Sequence, residues 1–283
     1  MKKNRAIFII SYKRANNIIT LDTIKKLNYS GKYYIVVDDK DPELDIYKQK
    51  FKENLCVFSK EEAKKIFDTC DNFDNTNSSC FVRNYLFKIA KEKNIDSFLV
   101  LDDDYEYIFF RKIIDNKLKV FYFKDNDFDK AIDIWFNYLE NTDLIDCYAL
   151  AQVGDLIGGA GTINQIDGKR KIMNAFFCKT SKPFEFKGKM NEDVNAYIYY
   201  GSRGKVFFTT TSAIVKPALT QQVNGGMTDI YKNNGTYVKS FYTVMLAPNC
   251  CKISTIGMSN FRIHHKIKWN NAVPKIIREE YKK

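Results

Sequence analysis

Apolar runs and amphipathic stretches alternate through the first hundred residues. Residues 6–10, 33–37, 55–58 and 97–101 are short, nearly continuous apolar runs, the pattern of buried strands. Between the first two, Ile18, Ile19, Leu21, Ile24 and Leu27 recur at helical spacing, which predicts a helix over 16–27. Asp41-Pro42-Glu43 opens a second helix that runs to about Phe51, with proline in its first turn. Ser59 followed by Glu61 and Glu62 reads as a helix N-cap with acids in the first turn. Residues 71–79 are polar and predict a loop, and 81–93 predict a helix. This β-α-β-α-β-α-β order implies an α/β fold with a mainly parallel sheet covered by helices.

Beyond Tyr107 the pattern is mixed. Strands are predicted at 118–123, 147–152, 171–178 and 205–210, with a helix at 128–139 and a short one starting at Asn191. Glycine-rich segments lie at 154–161 and at Gly225-Gly226, and a basic tail begins at Arg262. No repeat, low-complexity linker or composition shift divides the chain. The economical reading is a single domain over 1–283, with a parallel half at 1–107 and a mixed half at 108–283 carrying the basic tail.

The fourth apolar run ends in Asp102-Asp103-Asp104. Three adjacent anions repel one another and form strands poorly, so fold stability does not ask for them. The carboxyl end of such a strand is where open α/β sheets bind ligands. A hard divalent cation with a polyphosphate suits the triplet, because Mg²⁺ or Mn²⁺ takes one or two carboxylates plus substrate oxygens. Alternation along the chain aims Asp102 and Asp104 to one side and Asp103 away. A solvated acidic turn is the plainer alternative.

Composition changes this picture in two respects. Hydrophobic residues at 45% and charged residues at 28% are ordinary for a folded globular chain, and no apolar run is long enough for a membrane span or a signal-peptide core. Seven cysteines without CxxC pairing suit reduced thiols in a cytoplasm. The formal charge of +11 favours polyanionic partners: nucleic acid, anionic membrane or phosphorylated donors. A lysine-rich solubilising surface explains the same number.

In this order, the elements and residues resemble the GT-A glycosyltransferases, which use sugar nucleotides and a divalent metal. The resemblance implies a GT-A, Rossmann-type mixed sheet flanked by helices, a single catalytic domain, and Mn²⁺ or Mg²⁺ as cofactor. It places the donor nucleotide against Ser11, Tyr12 and Arg14 after the first strand and against Asp38 or Asp39 after the second. Arg83 and Asn84 match the basic position on the helix before the acidic motif, and Asp102-Asp103-Asp104 matches the DxD signature. Arg14, Arg83 and Lys88 are then candidate phosphate neutralisers. Asp104, backed by His264 or His265, is the implied metal ligand, with Asp102 on ribose or the metal shell. Glu192-Asp193 matches the acidic pair near the acceptor in inverting members, with Asp193 the first choice as general base. A UDP-sugar, UDP-glucose foremost, is the implied donor.

The acceptor is read mainly from charge. In size, composition and charge the chain looks similar to phage glycosyltransferases that modify hydroxymethylated bases in DNA, a likeness of role, and to a glycosyltransferase domain associated with base-modifying enzymes. Double-stranded DNA with modified bases is thus the expected partner, with Tyr231, Tyr237, Phe241 and Tyr242 as stacking aromatics. Surface polysaccharide, lipid-linked glycan or protein is the rival acceptor. A nucleotidyltransferase would place a glycine-rich loop directly after the first strand, and 11–17 contains no glycine. A non-catalytic nucleic-acid-binding module explains the charge but gives the aspartates no work.

Overall fold

The computed structural model describes residues 3–71, 76, 78–115, 117–124, 126–153, 175–218, 238–256 and 262–273. Nine strands form one sheet: β1 (Arg5–Ile10), β2 (Tyr33–Asp38), β3 (Leu55–Phe58), β4 (Ser97–Asp102), β5 (Tyr105–Ile114), β6 (Lys117–Tyr122), β7 (Ile145–Gln152), β8 (Phe176–Lys179) and β9 (Val206–Pro217). Their order is β3-β2-β1-β4-β8-β7-β9-β5-β6. The first four are mutually parallel, as the alternation implied. The contacts of β8 with β4 and β7, and of β5 with β9 and β6, are antiparallel. The sheet is therefore mixed.

Helices cover both faces. On one face α4 (Ser79–Glu92) and α6 (Glu192–Gly201) pack Phe81, Leu86, Val194 and Ile198 against Phe8, Phe98 and Phe176. On the other, α1 (Ile19–Lys26) and α5 (Asp127–Asn141) pack Leu21, Ile24, Trp135 and Phe136 against Ile7, Ile9, Leu99 and Phe177. Strand residues alternate between the two cores, so each central strand is apolar throughout. Each such side chain contributes about 1.5–3 kcal/mol on burial. Short α2 (Leu44–Phe51) and α3 (Lys60–Ala63) complete the first half. A separate hairpin of β10 (Cys251–Ile256) and β11 (Arg262–Ile267) lies between α7 (Val238–Leu246) and α8 (Trp269–Ala272) in the chain. All seven cysteines are free thiols. Among the described residues no helix is long and apolar enough to cross a membrane.

Several expectations change. The second helix runs Leu44–Phe51 with Glu43 at its N-cap, so Pro42 precedes its first turn rather than standing in it. The first helix starts at Ile19 rather than Asn16, because left-handed Lys13 and a turn from Asn17 N–H to the Arg14 carbonyl use 13–17 as a loop. The residues after the aspartates, for which the pattern predicts no strand before 118, form β5, which lies four places along the sheet from β4. The 107/108 boundary between halves falls inside that strand, and strands from both halves share the sheet. The glycine-rich 154–161 segment, Gly225-Gly226, Tyr231 and Tyr237 lie outside the described residues.

Candidate active site

The site is built where parallel β1, β2 and β4 end. Ile10 pairs with Asp102 in register, so Ser11 and Asp103 emerge side by side. Asp103 turns inward, accepts from the Ser11 hydroxyl at 2.7 Å and pairs with the Arg14 guanidinium. The Tyr47 hydroxyl sits 2.8 Å from Ser11 Oγ and accepts from the Arg14 N–H at 3.0 Å. The turn itself is clamped by α1. Thr20 Oγ1 donates to the Asp102 carbonyl at 2.5 Å and accepts the Tyr105 N–H at 2.8 Å. These bonds fix a backbone that three repelling carboxylates would otherwise spread.

The three carboxylates are not equivalent. Asp102 Oδ1 accepts from Arg83 Nη2 at 2.9 Å and Oδ2 from the Tyr105 hydroxyl at 3.3 Å. Burial pushes the Asp103 carboxyl up, with Arg14 and Ser11 pulling it back. Asp104 has no ion pair among the described residues, and burial with the adjacent Asp102 and Asp103 charges pushes its carboxyl up to about 7. In the unfolded chain an aspartate titrates near pH ~4. The folded state therefore holds the Asp104 proton more tightly, and stability falls as pH rises from that value through about 7. Asp104→Asn should raise the melting temperature in EDTA at pH 8 by about 2–4 °C and leave it unchanged at pH 4, as read by calorimetry.

Arg83 connects this turn to the second acidic pair. Its side chain is 3% exposed, so its charge requires local partners. Burial works against that charge, but Asp102, Glu192 and Asp193 hold its pKa above the ordinary value. Nη2 meets Asp102, and Nη1 meets Glu192 Oε1 at 2.6 Å. Ser79, in the first turn of α4, also donates to Glu192. Glu192 is thus occupied by Arg83 and Ser79. Asp193, half-buried beside it, accepts the Val194 N–H at 2.8 Å. Burial first and the Glu192 charge second push its carboxyl up to about 7, against the pull of Arg83.

Asn191 fixes where this helix begins. It is left-handed (φ 53°), which Asn tolerates better than most residues. Its Nδ2 reaches the Lys239 carbonyl at 2.9 Å, Thr243 Oγ1 at 3.1 Å and His265 Nδ1 at 3.2 Å. His265 is buried on β11, with the His264 ring 4.3 Å away, centroid to centroid. The histidines thus stand beside the N-terminus of α6. Among the described residues no three His, Cys, Asp or Glu groups form a ready-made metal site. The oxygen donors of Asp102 and Asp104 suit a cation held by one or two carboxylates and completed by substrate oxygens.

At the end of β2, buried Asp38 pairs with Lys60 Nζ at 2.7 Å. Lys60 and Lys13 each place an ammonium 5.1 Å from the centroid of Tyr12. Asp39 is exposed, and its Oδ1 accepts the Lys60 N–H at 3.3 Å. Sequence reading passed over Lys60, Tyr47, Ser79 and Tyr105. Lys60 had a signal, since it lies two residues after the third strand, where ligand-binding loops concentrate.

Other residues named from the sequence lie apart from this cluster or are otherwise engaged. Lys88 is exposed and bonds Glu62 at 2.7 Å and the Tyr85 hydroxyl at 2.9 Å. Asn84 is buried and pairs both ends of its amide with the Phe186 backbone, at 2.8 and 2.7 Å. Asn84→Ala should cost about 1–3 kcal/mol in urea unfolding, because it strands a buried N–H and C=O. Tyr242 is buried against Met190 and bonds Asp71, so its ring is not a stacking surface. Phe241 is exposed.

Carboxylates countered by arginines at the ends of parallel strands, with Asp104 left over for a cation, suit a sugar-transferring enzyme of α/β build. The description of the TET-associated glycosyltransferase family matches residues 5–226, and the chain belongs to that family. It is a glycosyltransferase. Among solved structures it is similar to glucosyl-3-phosphoglycerate synthase from Mycobacterium tuberculosis in complex with Mn²⁺, uridine diphosphate and phosphoglyceric acid. That likeness has a TM-score of 0.49 and 10% identity over 94% of this chain and 87% of the other. A complex of the same synthase with Mg²⁺ and uridine diphosphate gives 0.49 and 9% over 94% and 88%. Its complex with Mn²⁺ and UDP-glucose gives 0.47 and 9% over 94% and 87%. No curated protein matches the chain.

Proposed function

We propose that the protein moves a sugar from a nucleotide diphosphate donor, a UDP-sugar first among them, to a hydroxymethylated or already glucosylated base in double-stranded DNA, with inversion. The observation that carries the transfer chemistry is the pair of less engaged carboxylates, Asp104 and Asp193, that stand close in the chain to the two partners of Arg83, Asp102 and Glu192. Asp104 lacks a cation partner among the described residues, and Asp193 is half-buried with a carboxyl pushed up to about 7. Asp104 and Asp102 would hold Mn²⁺ or Mg²⁺, with His264 or His265 as a further ligand. When bound, the ion supplies Lewis-acid stabilisation of the diphosphate leaving group.

This chain's own residues do the rest. Tyr12, Asp38 and Lys60 line the strand ends where the nucleoside would rest. Arg14 and Arg83 keep positive charge beside the phosphates, each already oriented by an aspartate. Asp193 accepts the proton of the acceptor hydroxyl as that oxygen attacks the anomeric carbon. Glu192 orients Arg83, and its charge adds to burial in pushing the Asp193 carboxyl up to about 7. The DNA acceptor is supported by the sequence's likeness to a glycosyltransferase domain associated with base-modifying enzymes, with which the family's TET association agrees, and by the net charge of +11.

The test is release of nucleoside diphosphate from a panel of sugar nucleotides, with Mn²⁺ or EDTA, with and without hydroxymethylcytosine DNA or glucosylated DNA. Metal-dependent release stimulated by such DNA is the expected result. Metal-dependent release indifferent to DNA would move the acceptor to a glycan or protein. Absence of release from every donor, with DNA binding retained, would favour a binding module.

A further inference from the structure

We infer that the outer end of the β5–β6 hairpin is a basic ribbon that seats the acceptor duplex beside the active site. The inference rests on the DNA-acceptor reading above. β5 pairs with β9 only from Tyr105 to Phe110, whereas it pairs with β6 from Phe109 to Ile114. Residues 111–114 and 117–120 therefore stand as a two-stranded ribbon beyond the body of the sheet. Arg111, Lys112, Lys117 and Lys119 make it strongly cationic, with Asp115 in the turn as its one acid among the described residues.

Two details point to a polyanion rather than to a solubilised edge. Lys112 and Lys119 face each other directly across the strands, and like charges so placed destabilise a hairpin unless something neutralises them. Edge strands are often guarded by lysine. Residues 111–114, unpaired with β9, are an edge too, so guarding covers the cations of both strands but does not ask for two lysines set directly opposite each other. Arg111 also carries a buried Nε without a hydrogen-bond partner among the described residues, its guanidinium 5.4 Å from the Phe109 ring.

The ribbon leads back to the site. Tyr122 is 63% and Tyr107 48% exposed, with their rings 6.2 Å apart. Tyr107 pairs with Lys216 of β9, whose ammonium lies 5.0 Å from the ring. Two residues on, the Ala218 N–H donates to the Asp104 carbonyl at 2.8 Å. Cations, exposed aromatics and the Asp104 turn thus follow one another along β5. A two-stranded ribbon fits a major groove about 12 Å wide, its lysines meet phosphates, and exposed rings stack on an extruded base.

The experiment is fluorescence anisotropy of a labelled duplex of about two helical turns against salt, with gel filtration and unfolding midpoints in parallel. Lys112→Ser/Lys119→Ser should raise Kd about tenfold or more at low salt and flatten the slope of log K against log salt by about 2. Lys112→Arg/Lys119→Arg should keep wild-type affinity. Wild-type Kd and slope in the serine variant, when the parent protein binds DNA, would overturn the ribbon and leave the acceptor reading standing. A serine variant that dimerises at unchanged DNA affinity would overturn it too, assigning the lysines to edge protection. Failure of the parent protein to bind duplex at low salt would sink the DNA-acceptor reading and the ribbon with it.

Discussion

Arg83→Met should lower the unfolding free energy by about 3–5 kcal/mol in urea titrations. Arg83 is 3% exposed and sits between Asp102 and Glu192, itself 6% exposed. Removing the guanidinium leaves the buried Glu192 charge, among the described residues, with the Ser79 hydroxyl alone. It also takes away the opposing charge that limits the rise at Asp193. The double variant Arg83→Met/Glu192→Gln should recover at least half of the loss, because it removes the stranded charge as well. A double variant no more stable than the single one would mean that Arg83 acts through packing against Phe176 and Phe186, over whose rings it lies at 5.3 and 5.8 Å.

Asp193→Asn should lower kcat about 10²–10⁴-fold, with the KM for the donor little changed. The reasoning is electrostatic. The base must be ionised to take a proton, and burial with the Glu192 charge pushes the Asp193 carboxyl up to about 7. Below that pH the protein should lose activity about tenfold per unit, and above it kcat should reach a plateau. The variant should lose this ascending limb. Asp104, also pushed up to about 7, titrates in the same range. Saturating Mn²⁺ separates the two, because a cation on Asp104 displaces its proton and moves that limb to lower pH. A limb near 7 that survives both saturating metal and Asp193→Asn would place the general base elsewhere.

The first four strands and the helices between them were legible because each is a local signal. An apolar run of four to six residues and a helical repeat of leucine and isoleucine need no distant partner to be read. The aspartate triplet was legible for the same reason, since its place at a strand end follows from the run before it. The Glu192-Asp193 helix start was visible too. Sequence could not divide the labour between the two acids. Glu192 faces Arg83 and Ser79, more than a hundred residues away in the chain, and that contact leaves Asp193 less engaged.

Other assignments turned on equally distant contacts. Lys88 and Arg83 are both cations on α4, yet one faces Glu62 in solvent and the other lies buried against Asp102. Asn84 is drawn away by Phe186. Nothing in Tyr-Glu-Tyr-Ile-Phe-Phe announced that the strand after the aspartates would lie four places from the strand before them. The chain by itself determined an α/β fold, a charge suited to polyanions and an acidic strand end, because local periodicity and composition carry these. Which carboxylate is paired and which is left less engaged was decided only in three dimensions, where burial forces each charge to find a partner remote in sequence.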